Sequence, residues 1–368
     1  MVSATIRSFP VCLSFSPFKF IKMKVKQLFF LLLLASSLFF SCEKDTCGNR
    51  HGNYSSGVFV VNEGQFGSTG TITWYDPASG ETVQDVYGAE NCGAPLGEFV
   101  QSLNFHNGNG YMVVNGANKV VIVDARTFQY RGVIEGFELP RFFMPVSAQY
   151  AYVSQWGSDG LSGSLAKVDL QSKKIVQVIP VGKGPEKMVV AENRLLVANS
   201  GGYGEDATIV EIDLSTDNIL NTYPTTGKNP SSLVLEDPAV ANALYLCKGY
   251  FLDTNIEGNL NLMSGGTNSG ISVAPYSDDL VRDDSGATFF TSNTSIYQVF
   301  GSGGHYTVSE VFAQYAYGLG LDSVNDLLYC ADAKDFNSAG EVVIRKFNGT
   351  VVASFTAGII PGEVVVVP

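Results

Sequence analysis

The sequence predicts an all-β protein, a seven-bladed β-propeller, from three observations. A unit of about 45 residues recurs along the chain, and each unit holds four short apolar or alternating runs separated by Gly, Asn, Asp and Pro. Residues 58–368 divide into seven units of about 44 residues, the size of a four-stranded blade. No stretch after the first 41 residues keeps helical periodicity over three turns. An eight-bladed ring is the alternative.

The repeat is clearest in three early units, whose second strands are predicted at residues 110–115, 150–155 and 195–199. An Asp ends the third strand of the early units at spacings of 48, 45 and 44 residues, namely Asp76, Asp124, Asp169 and Asp213. Such an Asp accepts backbone N–H bonds in the following turn, so we assign these residues to turns rather than to catalysis. Blades five to seven are more degenerate, and residues 249–270 are interpreted as a long insertion in blade five.

The two ends of the repeat predict how the ring closes. The first unit opens directly on a second strand at residues 58–62, with no innermost strand before it. The C-terminal residues 361–368 resemble the innermost strand at residues 185–190 but have no unit after them. Residues 364–367 should therefore pair into blade one, which joins the termini and removes open sheet edges.

The N-terminal 41 residues differ from the rest, since they carry five basic residues, no acid and an apolar run at 28–40. They are predicted to be a lipoprotein signal peptide whose true start is Met23, and a retained membrane anchor is the alternative. Ser41-Cys42 ends the run like a lipoprotein cleavage site, so Cys42 is the expected lipidated residue. Residues 42–56 would form a flexible tether and residues 57–368 the propeller.

The charge and the cysteine content limit which functions and partners the protein can have. Without the leader the chain keeps 18 of its 23 basic residues against 35 acidic ones, a charge near −17. This balance argues against nucleic acid and against direct binding of an anionic membrane surface. Cys47 and Cys92 are candidates for a disulfide, whereas Cys247 and Cys330 fall on distant strands and should be buried thiols.

Equivalent positions in the repeat place polar side chains on one face of the ring. The last residues of the second strands are Asn62, Asn115, Gln155, Asn199, Lys248, Asn293 and Asp332. The residues that lead into the innermost strands are Glu98, Arg141, Glu186, Ser231, Asp279, Tyr317 and Glu363. The loops on the same face add the aromatic residues Phe66, Trp156, Tyr203, Tyr250 and Phe336.

Aromatic faces next to amide side chains suit a flat organic ligand with polar edges, or a sugar, so this face is the predicted binding surface. The selected ligand-binding residues are Asn62, Phe66, Asn115, Arg141, Gln155, Trp156, Asn199, Tyr203, Lys248, Tyr250, Asn293, Tyr317 and Asp332. The alternative is that each Asn caps its turn and each aromatic ring packs on the neighbouring blade.

Catalytic patterns are scarce in the sequence. The three histidines have no Ser, Cys or second His at a recognisable spacing, and the chain lacks HExxH, GxSxG and phosphate-loop motifs. Residues 278–279 and 283–284 are Asp pairs interpreted as solvated turns. We therefore expect a protein that is not an enzyme and uses no cofactor or metal. The alternative is a propeller-type hydrolase or lactonase whose channel metal is held by Glu98, Glu186 and Glu363 with Asn199.

The repeat resembles that of YncE-like propellers (YVTN repeats), through Ala-Tyr-Val-Ser at 151–154, Leu-Leu-Val-Ala-Asn at 195–199 and Val-Gly-Lys-Gly-Pro at 181–185. Residues 57–67 and 93–97 resemble surface propeller lipoproteins of the Bacteroidetes, and Glu-Lys-Asp at 43–45 resembles their export signal. That group includes a cobalamin-capturing partner of a TonB-dependent transporter. The resemblance implies a lipid-anchored outer-membrane protein, facing the exterior, that captures a scarce nutrient such as a corrinoid for a transporter. A scaffold for envelope proteins is a further alternative.

Overall fold

The structure, a computed structural model, describes residues 52–237, 239, 242–249, 256–264 and 267–368. The contacts group Cys47–Pro368 into one compact unit. The predicted signal peptide, Cys42, Cys47 and Tyr250 lie outside the described residues. Within the described part of the chain, no helix is both long and apolar enough to cross a membrane.

The described residues form a seven-bladed β-propeller, as the sequence predicts, with four antiparallel strands in each blade. Blade one holds β28 (Pro361–Val367), β1 (Gly57–Asn62), β2 (Thr71–Tyr75) and β3 (Thr82–Val83), from the innermost strand outward. Blade two holds β4 (Val100–His106), β5 (Asn109–Val114), β6 (Lys119–Asp124) and β7 (Tyr130–Glu135). Blade three holds β8 (Pro140–Pro145), β9 (Tyr150–Gln155), β10 (Ser164–Asp169) and β11 (Lys174–Pro180).

The remaining blades follow the same order. Blade four holds β12 (Pro185–Ala191), β13 (Arg194–Asn199), β14 (Thr208–Asp213) and β15 (Asn218–Pro224). Blade five holds β16 (Pro230–Asp237), β17 (Asn242–Cys247), β18 (Gly258–Ser264) and β19 (Thr267–Val273). Blade six holds β20 (Asp278–Arg282), β21 (Thr288–Thr291), β22 (Ser295–Ser302) and β23 (His305–Ala313). Blade seven holds β24 (Gly318–Asp322), β25 (Leu327–Asp332), β26 (Ala339–Lys346) and β27 (Val351–Ile359).

Burial follows the position of each strand within its blade. The second strands are apolar on both faces because each is covered by the two neighbouring blades, and every residue of β1 is buried. The outermost strands are largely exposed, and in β15 only Tyr223 is even partly buried. The core consists of clusters between adjacent blades, such as Tyr111, Val153 and Phe143 between blades two and three. Each blade is therefore stabilised by its neighbours rather than by a core of its own.

The closure of the ring is confirmed. Strand β28 pairs with β1 in antiparallel register, with Val364 opposite Val60 and Val367 opposite Gly57. The chain therefore supplies the innermost strand of blade one from its C-terminal end, and no described blade lacks its fourth strand.

The assignment of the recurring Asp residues to turns is confirmed as well. The Asp76 carboxylate accepts the backbone N–H of Ala78 at 2.9 Å, and that of Asp124 accepts those of Arg126 and Thr127 at 2.8 Å. Asp169 and Asp213 accept from the backbone of Ser172 and Ser215, each at 2.7 Å. Because these bonds stabilise the ionised carboxylate, the pKa of all four residues lies below the ordinary value.

The interpretation of residues 249–270 as an insertion is wrong. Residues 258–264 and 267–270 belong to β18 and β19, which are the regular third and fourth strands of blade five. In β18, Asn259 and Asn261 alternate with leucines, and Asn261 is buried with its side chain hydrogen-bonded to Thr226. The strand was missed because buried amides replace the apolar residues that mark the third strand in the earlier blades.

Packing against the propeller begins before Gly57. The Tyr54 ring is buried between Trp74 and Phe128, with ring centroids 5.1 and 5.7 Å away. Its hydroxyl donates at 2.8 Å to Glu90 at the end of the short helix α1 (Val86–Glu90). Cys92, just after this helix, is disulfide-bonded, while its candidate partner Cys47 lies outside the described residues.

Cys247 and Cys330 are free, buried thiols, as expected. Burial raises the pKa of both thiols to about 12, so they stay protonated and unreactive at neutral pH.

Candidate functional site

The top face of the propeller, defined here as the face on which the innermost strands begin, carries the candidate site. The second strands end there, so the loops between second and third strands lie on it, as the sequence predicts. Its centre is the mouth of the channel that runs between the seven innermost strands. The opposite side is called the bottom face.

Three of the amides predicted to bind a ligand are buried inside the propeller. Asn62 and Asn199 are fully buried and Gln155 is nearly so. The Asn62 amide donates to Thr73 Oγ1 at 3.0 Å and accepts the backbone N–H of Gly358 at 2.9 Å, which links blade one to blade seven. The other two donate to hydroxyls on the adjoining third strands, Thr208 and Ser164. These amides hold strands together, which is the alternative that the sequence left open.

The other four polar residues of the predicted ring do not all face the channel mouth. Asn115 donates its amide to the Pro140 carbonyl oxygen at 3.0 Å and so fixes the connection into blade three. Asp332 accepts the backbone N–H of Lys334 at 2.7 Å in its own turn. Asn293 is exposed in the turn between β21 and β22, and Lys248 points into the channel mouth.

The channel mouth is a cavity of about 140 Å³ walled by charged side chains. Arg141 pairs with Glu186 at 3.0 Å and donates to Gln101 as well. Lys248 pairs with Asp278 at 2.5 Å, and the Ser231 hydroxyl donates to the same carboxylate at 2.6 Å. The Tyr317 hydroxyl donates at 3.3 Å to Glu63, whose pKa is raised by burial. Arg141, Lys248 and Tyr317 were predicted from the sequence as binding residues, whereas Glu63, Gln101 and Asp278 were not.

The predicted set of residues leading into the innermost strands is wrong in one blade, because Glu98 does not line the channel, whereas the other six residues do. Each blade contributes one residue from the start of its innermost strand to the lining of the mouth, namely Gln101, Arg141, Glu186, Ser231, Asp278, Tyr317 and Gly362. Gln101 takes the place expected for Glu98, which lines neither channel cavity, while Asp279 and Glu363 lie one residue further along their strands. A register shift at the start of β4, β8, β12, β16 and β20 displaces the pairing there. Such bulges re-aim side chains, and repeat alignment alone does not reveal them.

A second layer of four residues crosses the channel below the mouth, and we call it the septum: Phe142, Lys187, Asp279 and Glu363. All four line both the mouth cavity and a larger cavity of about 410 Å³ beneath it. Lys187 pairs with Asp279, which accepts the backbone N–H of Leu319 as well. Glu363 accepts the backbone N–H of Leu103 at 2.8 Å. The interpretation of residues 278–279 as a solvated turn is therefore wrong, because both carboxylates face the channel.

The pKa values of two carboxyl groups in the channel are shifted in opposite directions. Burial would raise the pKa of Asp278, but the adjacent Lys248 ammonium outweighs burial and holds the pKa at about 2. Burial raises the pKa of Glu363 to about 7, because Lys187 is already engaged by Asp279 and compensates only part of the cost. Lys187 was not predicted from the sequence as a channel residue. The signal that could have identified it is its position as the one Lys in the apolar strand β12.

The raised pKa of Glu363 predicts how stability depends on pH. Its pKa is about 7 in the folded protein against an ordinary value of 4.5, so the folded state binds the proton more tightly. Its contribution to stability is present below pH 4.5 and is lost as the pH rises towards 7. Glu363→Gln keeps the acceptor for Leu103 and removes this loss, so we expect a higher Tm than wild type at about pH 8 and an equal Tm at about pH 4.

Thermal unfolding at the two pH values measures the effect, with the exposed Glu310→Gln on β23 as the control that should change neither Tm. An equal Tm for Glu363→Gln and wild type at the higher pH would contradict the assignment.

Aromatic side chains stand around the mouth at the top face. Phe66 is 89% exposed and Tyr203 66% exposed, in the loops of blades one and four. Tyr203 lies edge-on to Trp156 at 5.5 Å, and the Arg141 guanidinium lies 4.4 Å from the Trp156 ring. Phe336 lies edge-on to Tyr317 at 5.3 Å. The structure thus brings four of the predicted residues together at one side: Arg141, Trp156, Tyr203 and Lys248.

A side cavity of about 210 Å³ lies beside the channel mouth at this group of residues. Arg141, Trp156, Lys248 and Tyr276 line it, together with glycines of the loop after β13. The Trp156 indole N–H is buried without a hydrogen-bond partner among the described residues. Unpaired donors of this kind are uncommon in folded proteins and are often found where a ligand or water is bound.

The alternative metal site is not formed. Glu186 is engaged by Arg141, Glu363 lies in the septum, Asn199 is buried within blade four and Glu98 lies outside the channel cavities. Across the part of the chain that the structure describes, no three His, Cys, Asp or Glu side chains are grouped as metal ligands.

Comparison with known proteins agrees with this architecture. Residues 56–238 match a family described as a domain of unknown function (DUF5074). The match runs from β1 to β16 and includes the part of the chain with the clearest repeats. None of the curated proteins matches the chain in sequence.

Several solved structures are similar to the chain. A quinonprotein alcohol dehydrogenase-like protein from Bacteroides thetaiotaomicron has a TM-score of 0.65 and 17% identity, over 87% of this chain and 80% of that one. A protein described as functionally unknown, from Desulfotomaculum acetoxidans, has a TM-score of 0.64 and 11% identity, over 84% and 98%. A protein described as a putative 6-phosphogluconolactonase from Bacteroides fragilis has a TM-score of 0.62 and 13% identity, over 85% and 98%. At these identities the similarity establishes the fold alone.

Proposed function

We propose that the top face binds a polar organic ligand with a flat face, without chemical conversion, and that the protein captures this ligand as a nutrient. The observation that carries the proposal is the group of Arg141, Trp156 and Lys248 around the side cavity, with Tyr203 edge-on to Trp156. The group joins two cations, two aromatic rings and an indole N–H that has no hydrogen-bond partner among the described residues.

Phe66, Trp156 and Tyr203 form what we call the aromatic rim, and its exposure supports binding over packing. Phe66 and Tyr203 leave most of their rings in solvent. An exposed ring beside charged and amide groups offers a stacking face whose ligand can hydrogen-bond at its edge. A corrinoid has this shape and is the first candidate, as the resemblance of the loops implies.

The place of the protein in the cell is part of the same proposal. Lipidation at Cys42 would attach the propeller to the outer membrane, with the exterior as its expected side. The captured ligand would pass to a TonB-dependent transporter beside it. The lactonase alternative lacks support from the site, since its metal ligands are not grouped.

The test is isothermal titration of the purified protein with cobalamin, haem, a ferric siderophore and an oligosaccharide. We expect cobalamin to bind with a Kd of about 1 µM or tighter. Tyr203→Ala and Phe66→Ala should each weaken binding by about tenfold, since each removes one stacking face. The matched control is Tyr130→Ala, an aromatic ring 52% exposed on the outermost strand of blade two, which should leave affinity unchanged. Failure of all four ligands to bind at micromolar concentration would overturn the proposal.

A further inference from the structure

The cavity beneath the septum, which we call the lower chamber, is separate from the top face. It measures about 410 Å³ and extends along the innermost strands towards the bottom face. This volume lies within the range of small-molecule binding sites. The septum divides it from the mouth cavity, so a molecule in the lower chamber would not touch the aromatic rim.

Apolar and polar groups line the lower chamber in similar measure. The apolar side chains include Leu103, Phe143, Met188, Leu233, Leu319 and Val365, contributed by several blades. These side chains offer contact to the apolar body of a ligand, while the polar groups can hydrogen-bond its polar end.

Several polar side chains of the lower chamber are engaged within the protein. Lys187 and Asp279 pair with each other, and the second Asp279 oxygen accepts the Leu319 N–H. Arg282 donates to the Gly286 carbonyl oxygen at 2.9 Å and to the Thr288 hydroxyl at 2.6 Å. Glu363 uses Oε2 for the Leu103 N–H, whereas its Oε1 has no hydrogen-bond partner in the described part of the chain.

The free oxygen decides which ligand the chamber suits. Of the two cations that line it, Lys187 is paired with Asp279, and Arg282 donates to the carbonyl oxygen of Gly286 and the hydroxyl of Thr288. The Glu363 carboxylate has one open oxygen and forms no salt bridge among the described residues, and the Lys187 charge offsets only part of the cost of removing this carboxylate from water. A ligand ammonium would supply both the hydrogen bond and the missing positive charge.

We propose that the lower chamber binds a small primary amine with an apolar body, its ammonium group on Glu363 Oε1 and its apolar part against the Leu, Met and Val side chains below. This site does not depend on the proposed function of the top face, because the two share only the septum.

The test compares three probes of equal chain length, hexylamine, hexan-1-ol and hexanoate, by titration calorimetry and NMR of the full protein. We expect hexylamine to bind at least about tenfold more tightly than either of the others, the usual effect of a charge-assisted hydrogen bond. Glu363→Gln should abolish this preference while leaving hexan-1-ol unchanged. Asn104→Phe, which adds a ring to the chamber wall, should weaken hexylamine and hexan-1-ol alike.

Two control variants locate the effect. Glu310→Gln removes an exposed carboxylate on β23, and Tyr203→Ala alters the top face, so neither should change amine binding. Equal affinity of hexylamine and hexan-1-ol, an unchanged preference in Glu363→Gln, or no hexylamine binding up to about 10 mM would each overturn the proposal. Because the top-face ligands are tested separately, failure of one site leaves the other result intact.

Discussion

Deleting residues 362–368 is expected to destabilise the whole propeller rather than one blade. The deletion removes nearly all of β28, including the valines that lie opposite β1 from Gly57 to Val60. Four largely buried valines contribute roughly 1.5 kcal/mol each, so we expect a loss of about 5 kcal/mol or more. This loss is comparable with the entire stability of many domains.

Thermal unfolding followed by circular dichroism measures this effect. The matched control removes Pro368 alone, which lies after the end of β28 and should leave the Tm unchanged. Since β28 lines the channel as well, the larger deletion should expose β1 as an open edge and promote aggregation. A deletion variant with the Tm of the full chain would contradict closure of the ring by β28.

Lys187→Met is expected to give the second-largest loss of stability. Lys187 is the septum cation, and its pKa is raised because the carboxylates of Asp279, Asp278 and Glu363 outweigh the effect of burial. The substitution leaves Asp279 with no cation in a confined site, and breaking such a pair by removing one partner costs about 3–5 kcal/mol.

Urea unfolding at neutral pH measures this loss. The matched control is Lys334→Met, the same substitution in a pair with Glu341 at 3.9 Å, where the side chains are 43% and 40% exposed. An exposed pair contributes at most about 1 kcal/mol, so the control should change little. The double substitution Lys187→Met with Asp279→Asn should recover part of the loss, because the stranded charge is removed. Equal effects of Lys187→Met and Lys334→Met would show that the septum pair does not stabilise the fold.

The fold was predictable to the level of single strands wherever the repeat kept its apolar pattern. The turns at Asp124 and Asp169 and the closing strand were assigned correctly, because each depends on local chemistry or on the count of strands. Blade five was misread because β18 buries amides such as Asn261. Its hydrogen bonds to a neighbouring segment have no local signature in the sequence.

The candidate site was predictable as a face but only in part as residues. Alignment of the repeats placed Arg141, Lys248 and Tyr317 at the mouth correctly. It also selected Asn62 and Asn199, whose amides instead hold strands together inside the ring. A polar residue at the end of a strand can either face a ligand or form a hydrogen bond to a neighbouring strand. Both kinds of residue occupy the same position in the repeat, so the sequence does not distinguish them.

The sequence by itself determined the seven-bladed ring, its closure by the C-terminal strand and the face on which the loops gather. These features follow from apolar periodicity, turn chemistry and the number of repeats, all of which are local in the chain. Only the tertiary structure decided the register of the innermost strands and the charge pairs across the channel. Lys187 and Asp279 are 92 residues apart and pair because seven strands converge on one axis. That convergence forms the septum and leaves one oxygen of Glu363 without a hydrogen-bond partner in the described part of the chain, and no local sequence pattern predicts it.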